Sequence, residues 1–256
     1  MNTTHHILLG FLVTMLTACG SDWANRFQST VLPAPSELLV SETTAYTPVV
    51  LIRTPTGSYC TGTVISARAV LTAAHCLLSQ GNFEVVTSWG TFTTKTVEKF
   101  GEGFLGDPND IGVIVFTDDI ATEERIMKVG SQVSAGETLR LVGFGCNDLE
   151  SRAGGGVKRT GTNVIWRMFP HLDLLSPLAS LTSKRGIMGA ENRAAGCAGD
   201  SGGPGLTENA QGAFLVGVAH AGYSSGENRI SLFTDLTRPD NQDFLNRMNA
   251  KYGLGL

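Results

Sequence analysis

Residues 197–205 read CAGDSGGPG, a stretch in which one hydroxyl, that of Ser201, stands among residues with little or no side chain. Glycine, aspartate, serine and proline are the usual residues of turns, so the stretch alone indicates a loop. An attacking hydroxyl, however, needs open space, and flanking glycines let a substrate approach the backbone. The stretch therefore suggests that Ser201 is a nucleophile, a hypothesis that requires partner residues elsewhere in the chain.

Composition limits the class of protein. The chain has 256 residues, a formal net charge of −4, and 42% hydrophobic against 16% charged residues, enough for one large or two small domains with good cores. No basic cluster is present, so nucleic acid is not an expected partner. Glycine is abundant, with 31 residues, and helix-period stretches are few, which favours short strands joined by turns.

The first residues have the pattern of an export signal. Residues 7–16 (ILLGFLVTML) form an apolar run that is too short to span a bilayer, and residues 16–19 (LTAC) resemble the lipobox of bacterial lipoproteins. We predict a signal peptide at 1–18, a lipidated Cys19 and a tether at 19–45. The protein is then expected in the bacterial cell envelope, anchored by lipid at the outer membrane or cell surface, or released from it. The alternative is an ordinary signal peptide that contains a cysteine.

The pattern from residue 46 onward is that of β-structure. Residues 111–116 (IGVIVF) are continuously apolar, as in a strand buried on both faces, and a polar hinge at 123–132 separates two series of strands. Helical spacing occurs at the end of the chain, after Pro239. These features predict an all-β barrel or sandwich with a C-terminal helix. The predicted strands lie at 47–53, 59–66, 83–87, 92–100, 111–116, 138–145, 164–168, 213–219 and 230–234.

Two further residues could activate the Ser201 hydroxyl. A serine becomes a good nucleophile when a base takes its proton and a carboxylate orients that base. His75, in residues 71–76 (LTAAHC), follows an apolar run and could be the base. Asp110 immediately precedes the most apolar strand, where its carboxylate could be buried. The other nearby acids fit this role less well, Asp107, Asp118 and Asp119.

Three motifs carry a family resemblance, TAAHC at 72–76, NDIGVI at 109–114 and GDSGGP at 199–204. In this order, His then Asp then Ser, they resemble the trypsin and chymotrypsin-like serine proteases over about residues 46–252. The resemblance implies two antiparallel β-barrels, at about 46–125 and 132–238, with the site between them and a C-terminal helix at about 240–251. It also implies a serine endopeptidase that hydrolyses peptide bonds through an acyl-enzyme intermediate.

The resemblance also implies a role for each motif residue. Ser201 would be the nucleophile, His75 the general base and then acid, and Asp110 the residue that orients His75. The backbone N–H groups of Gly199 and Ser201 would form the oxyanion hole, each donor lowering the barrier by about 3 kcal/mol. No metal or cofactor is expected, and the partner would be a protein or peptide substrate. A protein inhibitor and an activating protease are further partner classes that the family admits.

Other classes of function fit the sequence less well. The stretch 199–203 also matches the nucleophile elbow of α/β-hydrolases, but glycine and proline after Ser201 are poor helix formers. That fold also needs an acid and then a histidine downstream, where the chain has Glu208 and His220 alone. The alternative that we retain is a non-catalytic binding protein on the same scaffold. A structural exported lipoprotein is a third, more distant hypothesis.

The cysteines fit two bridges. Five cysteines are an odd number for an exported protein, and lipidation of Cys19 would leave four. Cys60 and Cys76 resemble the family's disulfide beside the catalytic histidine, and adjacent His75 and Cys76 would chelate a metal poorly. The family's usual partner for Cys197 follows the substrate-binding strand and is missing here. Cys146, in a loop that the resemblance puts near the site, is the remaining cysteine.

The substrate pocket departs from that of trypsins. Trypsins carry an acid six residues before the nucleophile, whereas this chain has Ala195, so cleavage after lysine or arginine is not expected. Gly222 and Ser231 match small pocket walls, which favours an apolar side chain of medium to large size. His220 and Ala221 occupy positions where serine and tryptophan are common. His220 either contacts Asp110 or fills space, and the sequence leaves both open.

The family's activation switch has no counterpart in the sequence. In the family a newly cut N-terminus, Ile or Val followed by two glycines, pairs its ammonium with the acid before the nucleophile. No such tetrapeptide precedes Pro48, so the partner of Asp200 is left open.

Overall fold

The computed structural model describes residues 39–104, 107–148, 151–168, 186–189, 193–225 and 228–256. The chain divides into two compact units, Met1–Pro33 and Ala34–Leu256, and every described residue belongs to the second. The predicted signal peptide and Cys19 lie outside the described residues. Within the described part, no helix is long and apolar enough to cross a membrane.

Most of the regular secondary structure in the described residues is β-strand, with two short 3₁₀ helices, at Ala74–Leu77 and Glu123–Arg125, and one α-helix. The elements are β1 (Val40–Glu42), β2 (Val49–Arg53), β3 (Tyr59–Ser66), β4 (Ala69–Thr72), β5 (Phe83–Thr87), β6 (Gly90–Thr94), β7 (Val97–Phe100), β8 (Ile111–Val115), β9 (Lys128–Val129), β10 (Thr138–Gly143), β11 (Arg159–Met168), β12 (Gly186–Gly189), β13 (Pro204–Asn209), β14 (Gly212–Ser225), β15 (Asn228–Asp235) and α1 (Pro239–Tyr252).

The first sheet is antiparallel and has the strand order β6-β5-β2-β3-β4-β8-β7. Its central strands β4 and β8 are buried at every position, which confirms the prediction for the apolar run at 111–116. A strand covered on both faces needs apolar side chains on both, so the usual alternation is lost. The register pairs Thr72 with Gly112, and this pairing puts the end of β4 beside the start of β8.

The second sheet curls until its pairings close. The hydrogen-bonded neighbours run β10-β11-β12-β15-β14-β13 and return to β10, while β1 adds to β11 and β9 pairs with β14 in parallel. A small core of Leu139, Ile165, Ile187, Val216 and Phe233 fills this sheet. The prediction of an all-β fold with two curled antiparallel sheets and a C-terminal helix is confirmed.

The two sheets share one hydrophobic core. Val142 of β10 and Val218 of β14 are buried in the same cluster as Ile52 and Ile114 of the first sheet. At the junction of the sheets, Thr61 of β3 is hydrogen-bonded to Gly199 and Ser201, which precede β13, and to Phe144, which follows β10. His75, Asp110 and Ser201, the three catalytic residues predicted from the sequence, lie after β4, before β8 and before β13 respectively.

The structure differs from the predicted strands in short elements. Residues 92–100 form two strands rather than one, because a turn with Thr96 N–H donating to Thr94 Oγ1 separates β6 from β7. Residues 40–42, which the sequence placed in the tether, form β1 and pair with β11. β9 lies in the predicted hinge. Short strands of this kind form when their backbone groups pair with the unpaired edge of another strand. The pattern of side chains does not indicate where such an edge lies.

Helix α1 covers the first sheet. Proline occupies its first turn, where a missing N–H is harmless, and Gly253 ends it at φ 60° with its N–H bonded to Asn249 O. Phe244, Leu245 and Met248 are buried, and the Phe244 ring stacks on Phe100 of β7 at 5.3 Å. The residues with helical spacing in the sequence thus form the face of α1 that packs on the core.

Candidate active site

Asp110 holds His75 through both carboxylate oxygens. The backbone N–H of His75 donates to Oδ1 at 2.8 Å, and the ring Nδ1 lies 2.7 Å from Oδ2. Asp110 is fully buried directly before β8, and His75 lies in the 3₁₀ helix that follows β4. Two contacts to one residue fix both the position and the rotation of the imidazole. Nε2 therefore points away from the carboxylate.

His220 makes a second ring contact with the same carboxylate. Its Nδ1 lies 2.5 Å from Oδ2 of Asp110, and the two imidazole centroids are 6.3 Å apart. The register of β14 against β15 shifts between Ala219 and Ala221, so His220 is the extra residue of a bulge. Bulges redirect side chains, and this one turns His220 toward Asp110. Of the two alternatives that the sequence left open, the structure has the contact.

The carboxylate of Asp110 is ionised. Burial alone would raise its pKa, but the hydrogen bonds from His220 and His75 and the electrostatic interaction with the two imidazoles outweigh burial and lower the pKa to about 2. An ionised carboxylate can only accept hydrogen bonds, so both Nδ1 atoms carry their protons. That tautomer leaves Nε2 of a neutral His75 free to accept a proton.

Ser201 lies in a tight loop that contacts the first sheet. We call residues 197–203 the nucleophile loop. The carbonyl oxygen of Ser201 accepts a hydrogen bond from Thr61 N–H at 2.8 Å and lies 3.7 Å from Sγ of Cys76, the neighbour of His75. Gly202 N–H donates to Ala219 O, next to His220. The loop thus brings Ser201 to the segments that carry both histidines.

Gly199 has a conformation that only glycine adopts easily here. Its φ is +99°, and a Cβ at this position would collide with the ring of Tyr59. Its carbonyl oxygen accepts a hydrogen bond from Thr61 Oγ1 at 2.8 Å. This hydrogen bond to Thr61 fixes the turn that leads from Gly199 through Asp200 to Ser201.

Asp200 is bound by backbone N–H groups. Gly145 N–H donates to Oδ1 at 2.7 Å and Cys197 N–H to Oδ2 at 2.8 Å. The residue as a whole is partly exposed, but its carboxylate packs against the backbone of Gly143 and Gly145, where a side chain would not fit. Burial raises the pKa of Asp200 to about 6, although both hydrogen bonds and the charge of Arg159 oppose the rise. These groups are partners that the sequence did not identify.

Both predicted disulfides are present. Cys60 is bonded to Cys76 beside His75, and Cys146 is bonded to Cys197 at the start of the nucleophile loop. The first bridge leaves no thiolate at Cys60 or Cys76, so these residues and His75 cannot act together as a metal site. Disulfides persist in oxidising compartments, so the two bridges indicate an exported protein, as does the trypsin-type domain implied by the motifs.

One other group in the described residues could surround an ion. Donor atoms of His75, Asp110 and His220 all lie within 4.8 Å of one another. The nitrogens that face the carboxylate are, however, the ones that donate to it. A metal ion on these atoms would have to displace both protons. The hydrogen bonds account for the cluster without an ion.

Three of the five residues predicted for the substrate pocket, Ala195, Gly222 and Ser231, lie in neighbouring segments. Gly196, next to Ala195, donates its N–H to Ser231 Oγ at 2.8 Å, and the register of β14 and β15 pairs Gly222 with Ser231. A Cβ at Gly222 would lie 3.6 Å from Gly196 O, an ordinary van der Waals distance, so the space between these backbones has room for a methyl group. Ala221 is opposite Leu232 on β15. Ala195, Gly222 and Ser231 bring no charge to this space.

Two residues that support the site were not identified from the sequence. Thr61 is fully buried in β3 and binds Gly199, Ser201 and the N–H of Phe144. Arg159 donates to the carbonyl oxygens of Gly145 and Gly154 and thereby supports the segment that binds Asp200. A threonine inside a buried strand needs a partner for its hydroxyl, a signal that could have identified Thr61. Arg159 on β11 had no such signal.

Comparison with known families agrees with this geometry. The family model described as Trypsin matches residues 41–241, which is most of the chain and includes His75, Asp110 and Ser201. A search of curated proteins found no match. Because the matched region spans both sheets and every residue of the site, the chain belongs to the trypsin family.

Proposed function

We propose that the protein is a serine endopeptidase in which Ser201, His75 and Asp110 form the catalytic triad. The observation that carries the proposal is the double contact of Asp110 with His75, at 2.8 Å to the backbone N–H and 2.7 Å to Nδ1. A buried, ionised carboxylate that fixes an imidazole in this tautomer is what a general base requires. Family membership independently supports a hydrolase.

Each triad residue has one task in the proposed reaction. Nε2 of His75 takes the proton from Ser201 Oγ as this oxygen attacks the scissile carbonyl carbon. The same nitrogen then gives the proton to the leaving amine, and the C–N bond breaks to leave an acyl-enzyme. Water then attacks the ester carbonyl carbon with His75 again as base. The bond to Ser201 Oγ breaks, Nε2 returns the proton to Oγ, and the acid product leaves. Asp110 stays ionised throughout and stabilises the imidazolium.

The nucleophile loop would stabilise the negative charge of the tetrahedral intermediate. In our proposal the N–H groups of Gly199 and Ser201 point at the oxyanion. The positive φ of Gly199 and the hydrogen bond from Thr61 to its carbonyl support this role. Because that carbonyl is held by Thr61, the next peptide unit along the chain is also fixed. Fixed donors need no reorganisation when the charge develops.

A fluorophosphonate probe tests the proposal directly. We expect the folded protein to form a covalent adduct on Ser201, identified by peptide mass spectrometry. Ser201→Ala should give no adduct, and His75→Ala should react at least about a hundredfold more slowly because the base is missing. Folded protein that forms no adduct, while it keeps its thermal unfolding temperature, would instead support the alternative of a binding protein on this scaffold.

The uncharged pocket favours an apolar P1 side chain. Ala195, Gly222 and Ser231 offer no carboxylate to a lysine or arginine, and the pocket walls are small. We therefore propose cleavage after apolar residues of medium to large size in peptide or protein substrates. A series of fluorogenic peptides that differ in P1 alone would measure this preference. Faster cleavage after arginine than after phenylalanine or leucine would overturn it.

We also propose that the exported protein is anchored through lipid on Cys19. The observation is the lipobox-like stretch at 16–19, which follows the apolar run of the predicted signal peptide. The test compares membrane fractions of the wild type and Cys19→Ala. We expect the variant to lose lipid labelling and membrane association. Equal membrane association of both proteins would remove lipidation from the proposal.

A further inference from the structure

Thr61 joins the nucleophile loop to two other segments. Its hydroxyl donates to Gly199 O at 2.8 Å and accepts from Phe144 N–H at 3.0 Å, while its own N–H donates to Ser201 O at 2.8 Å. The residue is fully buried, so water cannot replace these bonds. One threonine thus fixes both peptide carbonyls that flank Asp200. The hydroxyl thus donates one hydrogen bond and accepts another.

Asp200 holds the same loop from its other side. The N–H of Gly145 and the N–H of Cys197 each occupy one carboxylate oxygen. Cys146, the residue after Gly145, forms a disulfide with Cys197, so the bridge connects the two segments that carry the donors. Cys146 N–H also donates to Ala198 O at 3.0 Å. The bridge therefore keeps both N–H groups together around the carboxylate.

We propose that Thr61 and the bridged pair of donors around Asp200 hold residues 197–203 in the oxyanion-binding conformation, so that no newly cut amino terminus is needed for activity. Thr61 is a positioning residue, because it acts on the peptide groups of the loop and not on the substrate. Together these groups supply, from within the chain, the anchor that Asp200 requires. The inference rests on the proposed peptidase function.

The first test compares Thr61→Val with Thr61→Ser. Valine matches the shape of threonine but leaves Gly199 O and Phe144 N–H unpaired, whereas serine keeps the hydroxyl. We expect Thr61→Val to lower kcat by about tenfold to a hundredfold with little change in KM, because oxyanion contacts act on the transition state. Thr61→Ser should restore kcat to within about threefold of the wild type. A Thr61→Val enzyme with wild-type kcat would overturn the role of Thr61.

The second test asks whether activity needs a new amino terminus. The full chain is treated with the fluorophosphonate probe, and the intact mass of every labelled species is measured. We expect chains that extend upstream of residue 39 to react as fast as any shorter form in the same sample. Labelling confined to chains whose first residue lies between 39 and 47 would show that the loop depends on such a cut.

The third test does not depend on catalysis. Thr61→Val, Asp200→Asn and the double variant are unfolded with denaturant. Because both side chains hold one loop, their effects should be coupled, with the unfolding equilibrium constant of the double variant at least about tenfold from the additive value. The control pairs Thr61→Val with Asp235→Asn, another buried acid, which binds Thr237 instead, and should be additive.

The three results separate the two proposals. A wild type that forms no Ser201 adduct would remove the peptidase function, while coupling between Thr61 and Asp200 would still show that they hold one loop. Labelled wild type with additive unfolding effects and an unchanged Thr61→Val kcat would keep the peptidase and remove the proposed anchor.

Discussion

His220 donates a hydrogen bond from Nδ1 to Oδ2 of Asp110 over 2.5 Å, on the same oxygen that faces His75 Nδ1. Together with the backbone N–H of His75, three donors therefore converge on one fully buried carboxylate. This arrangement explains why the pKa of Asp110 falls to about 2 although burial alone would raise it. The second imidazole thus helps to keep the acid charged and to fix the carboxylate that holds His75.

His220→Asn and His220→Leu should have different effects on catalysis. The side-chain amide of asparagine can place an N–H near the position of Nδ1, while leucine fills space and donates nothing. Loss of a hydrogen bond to a charged group costs about 1.5–3 kcal/mol, so we expect His220→Leu to lower kcat/KM by about tenfold or more. His220→Asn should recover most of this loss. Equal activities of the two variants in a peptide assay would show that the hydrogen bond is not what matters.

Asp110→Asn should reduce the rate of fluorophosphonate labelling by about 10⁴ while the protein stays folded. The amide oxygen can accept from one Nδ1, but the NH₂ group then faces another donor. His75 must therefore rotate or change tautomer, and Nε2 loses its role as a base. The unfolding temperature and the far-UV circular dichroism spectrum serve as controls. A fall of less than about tenfold would mean that Asp110 does not orient the base in this protein.

The sequence predicted the fold and the family better than the contacts around the candidate site. His75, Asp110 and Ser201 could be proposed as a triad because each lies in a recognisable motif, and burial of β4 and β8 follows from their composition. The contact of His220 could not be predicted, because it depends on a bulge between Ala219 and Ala221. A bulge shifts register by one residue and leaves no trace in an apolar pattern.

The partners of Asp200 were hidden for a different physical reason. Both are backbone N–H groups, of Gly145 and Cys197, and every residue except proline carries one. Only the three-dimensional path of the loop decides which N–H groups meet the carboxylate. The sequence did contain a related clue in Gly143 and Gly145, which leave room where any side chain would collide with Asp200.

Gly199→Ala should impair activity more than an equally strained substitution elsewhere. An alanine at φ +99° is strained, and its Cβ would also collide with the ring of Tyr59, so the loop must shift. Gly212 is a matched control, since its φ is +123° and nothing lies near a Cβ there. We expect Gly199→Ala to lower kcat by about a hundredfold or more, the cost of a lost oxyanion donor. Gly212→Ala should lower stability slightly and leave kcat unchanged.

Ala195→Asp should create cleavage after lysine and arginine. Position 195 lies beside Gly196, whose N–H is bound to Ser231, so a carboxylate there would enter the proposed P1 pocket. Its negative charge would bind a basic P1 side chain and disfavour apolar ones. The measurement is kcat/KM for matched peptides with arginine or leucine at P1, with Ala213→Asp, at the partly exposed start of β14, as a control. An unchanged preference in Ala195→Asp would place the P1 pocket elsewhere.

Asp200→Asn should change how stability depends on pH. The pKa of this carboxyl is about 6 in the folded chain against a usual 3.8, so the folded state binds its proton more tightly than the unfolded state does. The resulting stabilisation is complete below about pH 3.8 and is lost as the pH rises through about 6, a change of up to about 3 kcal/mol in the free energy of unfolding. Asparagine does not titrate. The free energy of unfolding of the wild type minus that of Asp200→Asn, from denaturant titrations at pH values across this range, should therefore fall as the pH rises. A difference that stays constant would show that the carboxylate gains as much from the N–H groups of Gly145 and Cys197 as it loses by burial.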